Sequence, residues 1–424
     1  MRSTLFYIPH EILGVPLLGV GWLLLALVIG CIAWSLWLAR QGQFGNEWLS
    51  GLPVWLVAAA LVIFVLPQIE SRWPDGEPIG LPVRGYGVLV LLGLFSGIGI
   101  TIWRGRQVGI SPDLIISLGF WMMVGGVIGA RIFFVAQYWS EFEKLPLLER
   151  LVAIVKLTEG GLVIYGGMFG GAIAGAAFCR RFRQPMFAFA DLIAPGFLIG
   201  SALGRIGCLL NGCCFGGVCT ADLPAIRFPQ GSPPYVDQLE NGQLLGVTLQ
   251  ANNQQRTIVT VQPGSIAEEK LGARPGMSYD ETSELLPPVP KVDDPARTPE
   301  LAASVTVDHR TLFLPPNELP RWSLPVHPSQ IYSAIDAFLL CLLILCLQPW
   351  VTRDGQAFLI AVALHAVARF TLELIRSDEA GQFGTSLTIA QWISMAAGLT
   401  AVAGLIFTTT QPAKRALILT RRAS

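Results

Sequence analysis

Asp191-Leu-Ile-Ala-Pro-Gly-Phe-Leu-Ile-Gly-Ser-Ala-Leu-Gly-Arg205-Ile-Gly-Cys208-Leu-Leu-Asn211-Gly212 has the length and apolarity of a membrane span. Between Asp191 and Arg205 it carries no charged side chain. A helix that crosses the ~30 Å hydrocarbon core of a bilayer needs roughly 20 apolar residues, and positions 188–207 supply such a run. Arg205 at its end is the anomaly, because a charge in lipid must face a cavity or a partner.

Outward from this run the chain keeps the same character. Of its 424 residues 52% are apolar and 14% charged, against about 25% charged in soluble domains. The mean hydropathy is +0.55. Lys+Arg (29) balance Asp+Glu (29), so no net charge points to nucleic acid. Nine stretches meet the length requirement: 13–38, 49–67, 84–103, 114–137, 161–179, 188–207, 330–350, 356–375 and 388–408. The expected fold is an all-α polytopic membrane protein of about nine transmembrane helices. The first stretch is too long for a signal-peptide core and lacks a basic flank, so it reads as a retained span.

Lys and Arg beside the spans set the orientation. Arg104, Arg106, Arg180, Arg181, Arg183, Arg353 and the tail residues Lys414, Arg415, Arg421 and Arg422 all fall on one face, expected to be cytoplasmic. The opposite face receives 70–77, 138–160, 377–385 and a charged insert, 218–324, with 13 acidic and 8 basic residues. The N-terminus and the insert are therefore expected outside and the C-terminus in the cytoplasm. The domain reading is two extra N-terminal helices (1–81), the first part of a membrane core (82–217), the insert (218–324), the second part of the core (325–410) and a basic tail (411–424).

The insert reads as mainly β-strand and loop. Residues 245–249 and 257–261 alternate in β fashion. Gln262-Pro-Gly-Ser-Ile-Ala-Glu268, within 244–277, resembles the strand, turn and short helix of PDZ-type domains. Strand addition there would suit an extended peptide; a cap over the lipid site is the plainer reading. Residues 286–299 are a Pro-rich linker, 305–314 a returning strand and His309 a surface residue.

Several polar side chains lie within or beside the spans. They are Arg131 in Gly129-Ala-Arg, Arg205, Arg369 and Glu373 at i and i+4, Arg376 one turn on, and His327-Pro-Ser-Gln330-Ile-Tyr332. Pairing and snorkelling account for any one of these arginines. Several at one depth, beside Gly-rich helix ends, suit an anionic headgroup, because guanidinium matches phosphate oxygens bidentately.

With Tyr86-Gly87, Gly129-Ala-Arg131, Glu159-Gly-Gly-Leu-Val-Ile-Tyr165-Gly-Gly167, Asp191–Pro195, Gly204–Gly212, His327–Tyr332, Arg369–Glu373 and Gln391 in this order, the chain resembles the prolipoprotein diacylglyceryl transferase family over 82–217 and 325–410. The resemblance implies a seven-helix membrane core in the bacterial inner membrane. It implies transfer of the diacylglyceryl group of phosphatidylglycerol to the lipobox cysteine thiol in the signal peptide of a prolipoprotein. A thioether forms, glycerol phosphate leaves, and no cofactor or metal is needed. Arg205, Arg369, Tyr165, His365 and Glu373 are then the candidate catalytic residues. Tyr86, Arg131, Asn211, Gly216, His327, Gln330, Tyr332 and Arg376 are the candidate substrate-binding residues.

Three positions depart from the family's pattern: Tyr165 replaces a usual His, Cys208 a usual Asn, and Cys213 a usual Glu. A tyrosine of pKa ~10 is a poor base at neutral pH. His365 stands where the family often has Tyr, one turn before Arg369, so aromatic and imidazole roles are read as exchanged between Tyr165 and His365. His365→Ala is expected to abolish activity with protein levels intact. Cys208, Cys213, Cys214 and Cys219 cluster within twelve residues. In an oxidising compartment a Cys208–Cys213 or Cys214–Cys219 disulfide is one reading and free thiols another; the spacing matches no common zinc pattern. The alternative to the enzyme is a catalytically silent paralogue that binds anionic lipid or lipoproteins. An internal repeat of the transporter kind is absent.

Overall fold

The computed structural model describes residues 4–9, 11–12, 15–16, 20–41, 55–56, 58–59, 62–63, 71–72, 78–156, 161–219, 224–252, 255–285, 301–308, 310–376, 381–382, 384–413 and 416–417. Most of the expected span 49–67 lies outside these residues. So do Glu159 and Gly160, the linker 286–299, His309, most of the turns 70–77 and 377–385, and the tail residues Lys414, Arg415, Arg421 and Arg422. The chain divides into a smaller unit ending at Gly85 and a larger one that begins at Tyr86.

In the smaller unit β1 (Thr4–Pro9) pairs antiparallel with β5 (Pro78–Arg84), which also pairs with β4 (Ser71–Arg72); β2 (Glu11–Ile12) and β3 (Val15–Pro16) form a separate ribbon. Its long helix is α1 (Val20–Arg40), whose Ile29, Ile32 and Leu36 are exposed, as a lipid-facing surface requires.

The larger unit holds the other long helices: α2 (Gly85–Gln107), α3 (Pro112–Gln137), α6 (Ile164–Arg181), α7 (Met186–Asn211), α10 (Ser329–Leu347), α11 (Gln356–Glu373) and α12 (Ile389–Thr410). The short helices α4 (Trp139–Glu143) and α5 (Leu147–Val155) follow α3. Among the described residues seven helices are long and apolar enough to cross a membrane. The expected fifth span is present as α6 but is not one of the seven, because its 18 residues hold five glycines and two arginines. This is a polytopic membrane protein with a small sheet region.

Lipid tails are as apolar as leucine, so helices in a bilayer associate by close packing rather than by escape from water. Facing glycines do this at two helix seams. Gly125 and Gly129 of α3 face Gly170 and Gly166 of α6, where a Cβ at Gly125 would stand 2.8 Å from the Gly170 carbonyl oxygen. Gly97 of α2 faces Gly196 of α7, where a Cβ would stand 2.6 Å from the opposing carbonyl.

Pro195, inside α7, explains the Asp191–Pro195 motif. It has no N–H to give the carbonyl four residues back, so Asp191 C=O is released from the helix ladder. Arg104 Nη1 (3.0 Å) and Gln348 Nε2 (3.1 Å) donate to it, and Arg104 also reaches Leu192 C=O at 2.6 Å. The Asp191 carboxylate accepts the backbone N–H of Gly355 (2.7 Å) and Phe358 (2.8 Å) and so caps α11 from another helix. One residue pair thereby fixes α2, α7, α10 and α11 at the end far from Arg205.

The insert folds with its own core. Strands β6 (Val247–Asn252), β7 (Gln255–Val261), β8 (Ser278–Leu285), β9 (Leu301–Val307) and β10 (Arg310–Leu314) form an antiparallel meander in chain order. Helices α8 (Pro233–Glu240) and α9 (Ile266–Leu271) bring Tyr235, Leu239 and Ala267 onto Ile258, Val305 and Leu314. The expected strand, Pro-Gly-Ser turn and helix are β7, 262–265 and α9, with Ser265 accepting the Glu268 N–H as N-cap. The single returning strand expected at 305–314 is two strands, β9 and β10, turning at Asp308. Tyr235 Oη donates to Pro320 C=O (2.7 Å), and Gln238 Oε1 accepts the Leu324 N–H (2.7 Å), tying the insert's exit to its entry.

Candidate active site

The site is built where α7 ends. Gly212 closes the helix in the left-handed conformation (φ 77°), and Cys214 also has positive φ, 58°. A non-glycine residue there is strained, so the loop must be held from outside. Gln330 Nε2 donates to Cys213 C=O (2.8 Å) and Ser329 Oγ to Cys214 C=O (2.6 Å). Gly216 N–H donates to His327 C=O (3.0 Å), Gly217 N–H to Ile375 C=O (2.9 Å), and His327 N–H to Gly217 C=O (3.1 Å). A Cβ at Gly216 would lie 2.7 Å from His327 Cβ, so only glycine fits. The His327–Gln330 motif and Gly216 are thus two halves of one clamp.

Charge converges on this loop. Glu373, fully buried at the end of α11, is hydrogen-bonded by Arg369 Nη1, lies 3.7 Å from Arg376 Nη1, and accepts the Thr388 hydroxyl at 3.2 Å. Thr388 also caps α12 in a capping box with Gln391. Arg205 and Arg376 both lie close enough to Cys214 to act on it electrostatically. Among the described residues Arg205 makes no hydrogen bond or ion pair. Among the described residues Arg369 and Arg376 share the Glu373 carboxylate, and Arg205 stands with Arg376 by Cys214, an arrangement that suits an anion.

The sulfur atoms of Cys208, Cys213 and Cys214 lie within 4.8 Å of one another. All eight cysteines are free thiols, so neither Cys208–Cys213 nor Cys214–Cys219 is bonded in this structure. Hydrogen bonds from Cys208 and then Cys213, together with Arg205 and Arg376, hold the Cys214 thiol well below the ordinary thiol range. The three sulfurs are the described group that could hold a thiophilic ion. Tyr86 packs on Gly207 and faces Arg205 and the same thiols, and Asn211 lies beside Cys213.

The remaining expected site residues have contacts of their own. Arg131 donates to Ile154 C=O (2.9 Å), Ala153 C=O (2.6 Å) and Gly161 C=O (3.0 Å), holding the end of α5 and the turn into α6. Tyr165 is in the first turn of α6. Tyr332 Oη reaches Pro224 C=O at 3.4 Å. His365 faces α10, its Nδ1 3.8 Å from Asp336 Oδ2. Thr388 and Asp336 are additions the sequence reading missed. A lone Asp inside an apolar span was the available signal for the second.

The family model for prolipoprotein diacylglyceryl transferase matches residues 77–407, from β5 through most of α12. The chain belongs to the prolipoprotein diacylglyceryl transferase family. A relative from Rhodopirellula baltica, named phosphatidylglycerol–prolipoprotein diacylglyceryl transferase, is 35% identical over 433 aligned residues, 93% of this chain and 87% of that protein. Its namesake from Deinococcus radiodurans is 39% identical over 155 residues, 34% of this chain and 46% of its own length. Another from Clostridium tetani is 23% identical over 319 residues, covering 75% and 90%. The 93% coverage leaves too little over to omit the insert, so the family likeness is wider than the helical motifs alone.

Proposed function

We propose that this chain transfers the diacylglyceryl group of phosphatidylglycerol to the lipobox cysteine thiol of prolipoproteins, with formation of a thioether and release of glycerol phosphate. The observation that carries the reading is Arg205, a guanidinium inside a membrane-spanning helix with no described protein acceptor, beside Arg376 and the Arg369–Glu373 pair. A phosphodiester supplies the missing acceptor. The charge that grows on the departing phosphate oxygen is stabilised by Arg205 and Arg369. Gln330 adds an acceptor: its buried Oε1 has no partner among the described residues and suits a glycerol hydroxyl of the headgroup. Tyr86, Asn211 and the Gly216 clamp shape the rest of the headgroup site. No observation favours the silent paralogue.

The finer layout follows from the same reading. Two N-terminal helices precede a seven-helix core in the bacterial inner membrane. The N-terminus, the insert and the Arg205 end of the helices are periplasmic, and the C-terminus is cytoplasmic. The test uses the full-length protein in detergent with phosphatidylglycerol and a lipobox peptide. The expected result is a peptide heavier by one diacylglyceryl group, with glycerol phosphate in equal amount; lipid bound without any thioether would overturn the proposal.

A further inference from the structure

We propose that His365 is the base that takes the proton from the incoming cysteine thiol and that Asp336 is its positioning residue. This rests on the transferase reading above.

Asp336 sits eight residues into α10, inside an apolar span, where a carboxylate is costly and marks function. Across from it is His365 of α11, with Nδ1 3.8 Å from Oδ2. The two exposures of His365 differ in a telling way. Its Nδ1 atom is buried without a hydrogen-bond partner, yet the side chain as a whole is 39% exposed. The open part of the ring is therefore the edge away from Nδ1, which bears Nε2. Such hydrogen bonds are commonly long before substrate arrives, and a shift of under about 1 Å brings Nδ1 into hydrogen-bond range. Nδ1–H directed at the carboxylate fixes the tautomer, which leaves the Nε2 lone pair free to accept a proton.

Position completes the case. His365 precedes Arg369 by one turn on the same helix face, where side chains four apart are neighbours. Arg369 in turn holds Glu373 beside the anion site. A base at His365 thus lies next to the group that meets the leaving phosphate. In the step, Nε2 takes the S–H proton and the sulfur attacks the glyceryl carbon. The C–S bond forms as the C–O bond to phosphate breaks, and the electron pair stays on the departing phosphate oxygen. The imidazolium releases its proton to water, so each turnover yields one thioether, one glycerol phosphate and one proton, with no oxidation or reduction.

The test compares a lipobox peptide carrying cysteine with one carrying selenocysteine, whose selenol ionises below neutral pH and needs no base. His365→Gln and Asp336→Asn should each lower kcat for the thiol peptide about a hundredfold or more, with the KM for phosphatidylglycerol unchanged. The double variant should be no slower than either single one, and Asp336→Glu should recover part of the rate. Both single variants should turn over the selenol peptide at close to the wild-type rate. The selenol-to-thiol ratio within one preparation is independent of how much protein has folded, so a poorly folding variant still answers. Equal loss toward both peptides, or wild-type kcat in Asp336→Asn, overturns the base with the transferase intact. No thioether from the wild type overturns the transferase reading beneath it.

Discussion

Replacing Glu373 by Gln tests the charge arrangement at the site through stability. The carboxylate is fully buried between two guanidinium groups, one hydrogen-bonded and one 3.7 Å away. At an effective dielectric of about 20, a unit pair near 4 Å is worth roughly 4 kcal/mol. Part of that offsets desolvation already incurred on folding. Taking away one partner of a buried pair leaves the other uncompensated, at about 3–5 kcal/mol, and this is the loss expected for Glu373→Gln. The Thr388 hydroxyl bond at 3.2 Å adds little, since the amide oxygen can still accept it. The signature lies in the second substitution. Arg376→Gln, whose side chain is nearly buried and has a further contact besides Glu373, should weaken the wild type, and should cost less in the Glu373→Gln background, where repulsion between arginines is relieved. Denaturant unfolding of the four proteins in detergent completes the cycle. A loss under about 0.5 kcal/mol for Glu373→Gln, or Arg376→Gln costing as much in that background as in the wild type, would show that the carboxylate does not balance the arginines.

Three further outcomes follow. Gly129→Leu should prevent stable assembly of α3 on α6, because even its Cβ would lie 2.8 Å from Gly170 Cα, whereas Gly126→Ala, whose nearest neighbour is at 3.4 Å, should accumulate normally; detergent gel filtration separates the two. Asp191→Ala orphans two backbone N–H groups at roughly 1–3 kcal/mol each and should lower the unfolding temperature at a site remote from the arginines. The Cys214 thiol is held below the ordinary range, so its thiolate persists as pH falls. Its alkylation should stay fast from about pH 8 to about pH 6, where an ordinary thiol slows about tenfold per unit, and alkylation should block transfer; mass-spectrometric rates on the intact protein check both.

The features legible in the sequence are those written in one residue's mismatch with its surroundings. Arg205 in an apolar run and Arg369–Glu373 at i, i+4 announce themselves, and the structure sets them around one loop. The Asp191–Pro195 motif was recognisable, but its work was not. Its partners Arg104, Gln348 and Gly355 are 87 to 164 residues away in the chain. Arg131 reads as a headgroup ligand because charge in a span suggests one, and its described partners are of another kind. Backbone carbonyls at 153, 154 and 161, invisible to any side-chain pattern, take up its nitrogens. Asp336 does not stand out because a single carboxylate barely changes the hydropathy of a 22-residue span. The insert's β character was readable from alternation, but its five-strand order depends on pairings that local pattern does not encode.

The most direct measurement is the transfer rate of Arg205→Ala beside wild type, with unfolding of both in the same detergent. Arg205 makes no described hydrogen bond or ion pair within the protein and acts on Cys214 only electrostatically, so Arg205→Ala should lower stability by no more than about 1 kcal/mol. Thioether formation should fall about 100-fold or more, the scale of losing one donor to a developing oxyanion. Turnover of Arg205→Ala at the wild-type rate would show that Arg205 does not hold the phosphate.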